Sequence, residues 1–581
     1  MAARVRDSDA PVALVLDAGA RAAVETIQSL GRLGWTVHVS GADDALGFAS
    51  RYADERFIQP KAEGPGLRRF LEDLDREHRY DLIVPATEIS LSAFLDLEES
   101  APLYRKAQLP PQRSLRVALD KESTLAAASA VGIRVPQTAV LRSLGGPAAG
   151  AFPRVLKPRT SRVMVDGRWT TLHPALVHNE EERQLELEEL LPATPVLEQE
   201  VLSGVGWGIE CLYERGVMRW HFCHRRLHEG SGRGGLGSGS AYRRAAPAPP
   251  PMLEDARRLL DALAWHGVAM VEFKVAPDGS YALMEINPRL WGSLALAIDA
   301  GVDFPAGLAC LALAQELSPQ PRYSTRYRTR LMPEDLSWIR HHILAERSIA
   351  SVGEAVGILR VLLPGESWDF LDWGDLGPLR EELLQGFDRA RDRVREKKFN
   401  AEMAKRARAR HEANVVRYQR RQQPIRSILF VCLGNICRSP VAAALARQSF
   451  PGVEATSAGF IELDGRTSPA KIEFALANDG VSVRSHRSRH LDVALVERAD
   501  VIVLLDANNY RKFEELFPRH VSKVLQLGMF LPRPAVDIAD PIAMDLGGTK
   551  DVVALIRSAV GRLGEVLALP RSPDGRPGDG R

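Results

Sequence analysis

ILFVCLGNICRSP, residues 428–440, decides how the C-terminal part of this chain is read. An apolar run long enough for one buried strand ends at Cys432. Five residues follow, and then Arg438-Ser439-Pro440 opens the stretch SPVAAALARQSF, which reads as a helix with proline in its first turn. A loop of this length between strand and helix turns several backbone N–H groups toward one small anion. Arg438 adds a planar fork that pairs two oxygens of a phosphate. Cys432 sits where that field favours a thiolate, and thiolate attack on a phosphate monoester gives a phosphocysteine. Ser439 is placed to hydrogen-bond the sulfur. Asn435 suits a locked loop because asparagine tolerates unusual backbone angles and bonds locally. The leaving oxygen needs a proton and the attacking water needs a base, so one distant carboxylate must serve both. DIADPIAMD (537–545) supplies candidates: Asp540, followed by a proline, is preferred over Asp537 and Asp545. A zinc site would need two further ligands, and the last domain has no other cysteine. A reversible disulfide between Cys432 and Cys437 stays open.

VCLGNICRSP, the segment SAGFIELDGRTSPAKIEFALANDGVSVRSHRSRHL and Asp540-Pro541 together resemble the low-molecular-weight protein tyrosine phosphatases over roughly 427–570. The resemblance implies a small parallel sheet flanked by helices. It implies Cys432 as nucleophile, Arg438 as phosphate ligand, Asp540 as general acid, and Asn435 and Ser439 as loop supports. Ile542 and Ala543 stand where phosphotyrosine-specific members carry aromatic residues, and Ile436 stands where phosphoarginine-directed members carry threonine. A phosphotyrosyl protein and a small phosphorylated metabolite both remain open as substrates.

Working outward, YALMEINPRLWGS (281–293) is a strand in which alternation puts Glu285 and Asn287 on one face. Oxygen ligands so arranged suit Mg²⁺ shared with nucleotide phosphates. Glu272 in VAMVEFKV lies on the preceding strand, and APDG is the turn that brings it beside Glu285. FPRVLKPRTS (152–161) ends an apolar strand with Lys157, and Lys121 stands at a helix start in LDKESTL. The opening VALVLDAG, RAAVETIQSLGRLG and WTVHVS reads strand, helix, strand without GxGxxG, so a dinucleotide fingerprint is absent. The glycine-rich 228–242 turn lacks the GK[ST] ending of a P-loop.

These elements resemble the ATP-grasp superfamily, nearest its carboxylate–amine ligases and the ATP-binding part of carbamoyl-phosphate synthase, over about 12–315. The resemblance implies ATP and Mg²⁺ as cofactors. It assigns Lys121 and Lys157 to the ATP phosphates, Glu200 and Val201 to adenine, and Glu210 to the ribose. Glu272, Glu285 and Asn287 fall to the metal, and Arg289 to the transferring phosphoryl group. It implies a carboxylate activated as an acyl phosphate and captured by an amine, under a lid whose Arg225, Arg226 and Arg233 face anions.

At 581 residues the chain is too long for one core. The expected organisation is a multidomain α/β chain. It has a βαβ domain at 1–110, an ATP-grasp domain at 111–320, an extension of unassigned role at 321–386, a polar helical linker at 387–425, a phosphatase domain at 426–570 and a disordered tail at 571–581. The linker expectation rests on thirteen Lys and Arg against five Asp and Glu in 387–423. A net charge of +2 argues against a nucleic-acid binder, and no apolar run reaches the roughly 18 residues of a membrane span. Five scattered cysteines and an N-terminus without signal-peptide order lead to the expectation of a cytoplasmic enzyme. The expected function is bifunctional: a ligase acting on a small carboxylate and an amine, and a phosphatase. Two arrangements stay open beside it, a tyrosine phosphatase with a regulatory ATP-grasp module and a phosphoryl transferase paired with a phosphatase for its product. A homo-oligomer also stays open.

Overall fold

The computed structural model describes residues 10–146, 148–165, 168–229, 240–346, 365–477 and 479–570. The glycine-rich loop at 230–239 with Arg233, part of the 321–386 extension, and the 571–581 tail lie outside the described residues. The chain divides into two compact units, 1–386 and 387–581.

The first unit carries three main sheets. The N-terminal one is fully parallel, in the order Ala53–Ile58, Thr36–Gly41, Val12–Val15, Leu82–Val84. Strands Thr36–Gly41, Val12–Val15 and Leu82–Val84 are largely buried, while the edge strand Ala53–Ile58 is polar and partly exposed. The second sheet is antiparallel and holds Thr138–Leu141, Val196–Glu200, Arg154–Pro158 and Ala175–Val177. The third has seven strands, running from Tyr281–Asn287 through Gly267–Val275, Val205–Glu214 and Val217–Glu229 to Ser240–Ala245, and ending in Arg328–Arg330 and Glu366–Trp368.

Those last two strands give the extension, to which the sequence assigned no chemistry, a structural place. Asp369 follows them and accepts from Arg243 at 2.5 and 2.6 Å and from Arg21 at 3.2 Å. Asp375 accepts from Ser50 Oγ at 2.5 Å and from the Arg51 amide at 2.9 Å, so the extension folds back onto the N-terminal sheet.

Glu25 lies in this contact, on helix Arg21–Arg32, and accepts from the Phe370 amide at 3.2 Å. Burial, with Asp369 and Asp299 adding to it, pushes its carboxyl up to about 8. The folded state therefore holds this proton where the unfolded chain has lost it, and stability falls as pH rises from about 4.5 through about 8. Glu25→Gln is expected to keep the Phe370 bond and remove this loss. At pH 8 the first unit of the variant should be more stable than the parent by on the order of a few kcal/mol. The difference should vanish near pH 4.5, as read by urea unfolding at the two pH values.

The second unit is a four-stranded parallel sheet in the order Glu454–Gly459, Ser427–Cys432, Val501–Leu504, Val524–Gln526. Helix Arg438–Ser449 returns from its central strand, and helix Leu546–Val566 packs against that helix. The basic stretch is helical, within Gly377–Gln419, and it is not solvated throughout. Met403, Ala407, His411, Asn414 and Tyr418 are buried against the sheet. His411 Nδ1 accepts from the Gln526 amide at 3.1 Å, and Asn414 donates to the carbonyls of Val521 and Val524.

Among the described residues no single helix is long and apolar enough to cross a membrane; one bent pair, Leu294–Ala300 with Phe304–Ala312, passes by length and composition only.

Candidate active sites

In the second unit Cys432 ends the central strand, with the loop 433–437 crossing to the amino end of helix Arg438–Ser449. The Cys432 sulfur lies 3.0 Å from Ser439 Oγ and accepts from the Asn435 amide at 3.3 Å. Asn435 has a left-handed backbone, φ +51°, and is fully buried. Its side chain accounts for that conformation. Nδ2 donates to Ser439 Oγ at 3.0 Å and Ser457 Oγ at 2.9 Å, and Oδ1 accepts from the Arg489 amide at 2.9 Å. His486 Nε2 lies 2.7 Å from the Asn435 carbonyl. Burial first, then Asp540 and Cys432, pushes the Cys437 thiol up to about 12, so this second cysteine is no thiolate source near neutrality.

Arg438 is 4% exposed and splits its fork. Nη1 donates to Asp506 at 2.6 Å and to the Ile538 carbonyl at 2.9 Å, while Nη2 donates to Asp540 at 2.7 Å. The three acids of 537–545 are thereby distinguished. Asp537 accepts from the Ala507 amide and Asp545 caps helix Leu546–Val566, while Asp540 is the one that meets Arg438. Asp506, Ser457, His486 and Arg489 were missed in the sequence. Asp506 had a usable signal, an acid directly after the apolar strand VIVLL, where it also caps helix Ala507–Leu516.

Gly459 shows how tightly the loop is held. A Cβ there would stand 2.9 Å from Asn435 N, Asn435 Cβ and the Leu433 carbonyl oxygen. Gly459→Ala is expected to shift the loop, lowering phosphatase kcat by about 10²-fold. It should cost about 1–3 kcal/mol in stability. Steady-state kinetics beside thermal melting measure both.

In the first unit Glu272 and Glu285 are directly opposed antiparallel partners, and Met270 opposes Asn287. Asn287 Nδ2 donates to Glu272 Oε1 at 3.1 Å and Glu285 Oε1 at 3.3 Å, and Arg226 donates to Glu272 Oε2 at 2.5 Å. The two carboxyls are driven apart. Burial pushes Glu272 up, helped by Glu285 and opposed by Arg226. Burial also acts on Glu285, but Lys121, Lys157, Asn287 and Arg226 outweigh it and hold that carboxyl below its ordinary value. Burial lowers Lys157, with Glu285 opposing.

Lys121 begins helix Lys121–Ala130 and donates to Ser161 Oγ at 2.7 Å. Glu200 ends strand Val196–Glu200 and accepts from the Gln137 amide at 2.8 Å; Val201 beside it is 40% exposed. Glu200 pairs with Arg154 and Leu197 with Lys157, so the two candidates are three residues apart along the ladder, roughly 10 Å. Glu210 has no exposed surface. It is 2.5 Å from His224 Nδ1 and accepts from Ser293 at 3.3 Å, so it faces these two groups and not open space.

A cavity of about 460 Å³ gathers Glu272, Glu285, Asn287 and Arg289. Lys121, Lys157, Glu200, Val201 and Glu210 do not line it. Two opposed carboxylates beside an asparagine amide are a hard-oxygen donor set that fits Mg²⁺, the amide oxygen being reached by turning the side chain over.

Residues 427–571 match the profile of the family described as low molecular weight phosphotyrosine protein phosphatase. Residues 193–333 match the one described as ATP-grasp in the biosynthetic pathway with Ter operon. The probable low molecular weight protein-tyrosine-phosphatase EpsP of Ralstonia nicotianae is 37% identical over 136 residues, 23% of this chain and 92% of that protein. The protein-arginine-phosphatase of Geobacillus stearothermophilus is 34% identical over 142 residues, 24% of this chain and 93% of that protein. The crystal structure of L-amino acid ligase from Bacillus licheniformis aligns with a TM-score of 0.42 at 14% identity, over 53% of this chain and 75% of that one. Through residues 427–571 the chain belongs to the low molecular weight phosphotyrosine protein phosphatases, and it carries an ATP-grasp segment ahead of that domain.

Proposed function

We propose that the chain is a bifunctional enzyme: a phosphatase working through a phosphocysteine on Cys432, and an ATP-dependent ligase joining a carboxylate to an amine. The observation that carries the first activity is the Cys432 sulfur held between Ser439 Oγ and the Asn435 amide, at the amino end of a 12-residue helix that Arg438 begins.

The Cys432 thiolate attacks phosphorus, and the ester P–O bond breaks. Asp540 gives its proton to the departing oxygen. Asp540 then takes a proton from water as that water attacks phosphorus and the S–P bond breaks. Ser439 donates to the departing sulfur, and Arg438 pairs the phosphoryl oxygens by turning its fork from the acids that hold it.

In the first unit the substrate carboxylate attacks the γ-phosphorus of ATP, ADP leaves, and an amine displaces phosphate from the acyl phosphate. Glu272, Glu285 and Asn287 would hold Mg²⁺, which supplies neutralisation of phosphate charge when bound. Lys121, Lys157 and Arg289 contribute positive charge toward the phosphates.

Two assays on the full chain test this reading. Nitrophenol release from p-nitrophenyl phosphate should survive a chelator, and ADP release with carboxylate and amine panels should stop. Chelator-sensitive nitrophenol release would refute the cysteine mechanism, and ADP release indifferent to every carboxylate and amine pair would refute the ligase.

A further inference from the structure

Beside its acidic pair, the cavity of the first unit holds a second cluster. Gly19–Ala22 at the start of helix Arg21–Arg32 lines it, together with Thr87, Arg243, Trp291 and Gly292. The first turn of this 12-residue helix is uncapped. Ala20 at the N-cap makes no side-chain bond, and among the described residues no acceptor meets the amides of Arg21 and Ala22. Such an end carries a partial positive charge and free donors.

Two guanidiniums stand beside it. Arg243 donates to the Gly292 carbonyl at 2.6 Å, and a Cβ on Gly292 would lie 2.7 Å from Arg21 Nη2. Both arginines share one carboxylate, Asp369. Burial pushes the neighbouring carboxyls of Glu25 and Asp299 up and lowers Arg243, and Asp17 accepts from Thr87 Oγ1 at 2.7 Å. Trp291 is 1% exposed, and among the described residues its Nε1 has no acceptor, nor has Arg243 Nε. Arg226 is engaged with Glu272 elsewhere in the cavity, which leaves Arg21 and Arg243 as the guanidiniums beside this helix end.

We propose that the cluster binds a second anionic group of the acceptor substrate, a carboxylate or phosphate separate from the carboxylate that is activated. The inference rests on the ligase reading and narrows it to dianionic acceptors. The acidic pair and the anion cluster share a cavity of about 460 Å³, a volume suited to a small metabolite.

The test is calorimetric titration of the full chain, with Mg-ADP present, using pentanoate, glutarate and 3-phosphopropionate. At least one dianion should bind about tenfold or more tighter than pentanoate, and the tighter of the two identifies the group as carboxylate or phosphate. Arg21→Ala should erase the discrimination. Arg21→Lys, which keeps a charge toward Asp369, should retain part of it, and Trp291→Phe should reduce it. Equal binding of all three probes, no detectable binding of either dianion, or an equal loss for all three in Arg21→Ala would overturn the proposal. Retained Mg-ADP binding with no acceptor discrimination removes the subsite alone; a parent chain that fails to bind Mg-ADP removes the ligase reading and the subsite with it.

Discussion

Cys432→Ser should lower hydrolysis of p-nitrophenyl phosphate by at least about 10³-fold. A serine hydroxyl is a far weaker nucleophile toward phosphorus than a cysteine sulfur, so the nucleophile is lost while its surroundings stay. The Asn435–Ser439 bond and the bonds that hold Arg438 to Asp506 and Asp540 do not involve the sulfur, so the variant should still bind inorganic phosphate with parent-like affinity. Rescue by Cys437 is not expected, because its thiol is buried and pushed up to about 12. Kinetics and phosphate titration on the same preparation separate the two effects. A variant that loses phosphate binding together with turnover would point to a collapsed loop.

Glu285→Gln should lower Mg-ATP turnover by about 10²–10³-fold, the usual scale for removing one oriented charge from a phosphoryl-transfer site. The reason is specific to this pair. Glu285 is the carboxyl held anionic by Lys121 and Lys157, whereas burial biases Glu272 toward its proton. Glu285 is also the largest influence raising Lys157, which burial already lowers. Without it Lys157 falls further, and the loss of residual activity caused by lysine deprotonation should move to lower pH. A pH–rate profile of residual ADP release checks the sign, and an unmoved profile would separate Glu285 from Lys157. Nitrophenol release should be unaffected.

The parts of both sites legible in the sequence are those written in contiguous residues. Cys432 to Arg438 is one strand–loop–helix unit, and Glu272, Glu285 and Asn287 share one hairpin whose alternation fixes their faces. Groups brought in from afar were not legible. Arg21 and Asp369 are separated by 348 residues, and nothing local marks either as the other's partner. Asp506 reaches Arg438 across 68 residues. The helix through 387–419 was obscured differently. Its buried positions 403, 407, 411, 414 and 418 keep helical spacing, but two are His and Asn, which a charge count treats as solvated. Their polar atoms are satisfied by the Val521 and Val524 carbonyls and the Gln526 amide, so burial costs them little. The Oε1 of Glu210 meets His224, a contact that strand alternation does not reveal.

The most direct test of the account is to trap the covalent intermediate. Asp540→Ala should form it readily from p-nitrophenyl phosphate, since nitrophenolate leaves without a proton, and should hydrolyse it slowly, since water then lacks its base. Acid quench during turnover followed by peptide mass spectrometry should find a phosphoryl group on Cys432, absent after Cys432→Ser. A phosphoryl group on Cys437 or Ser439, or turnover with no adduct at Cys432, would contradict it.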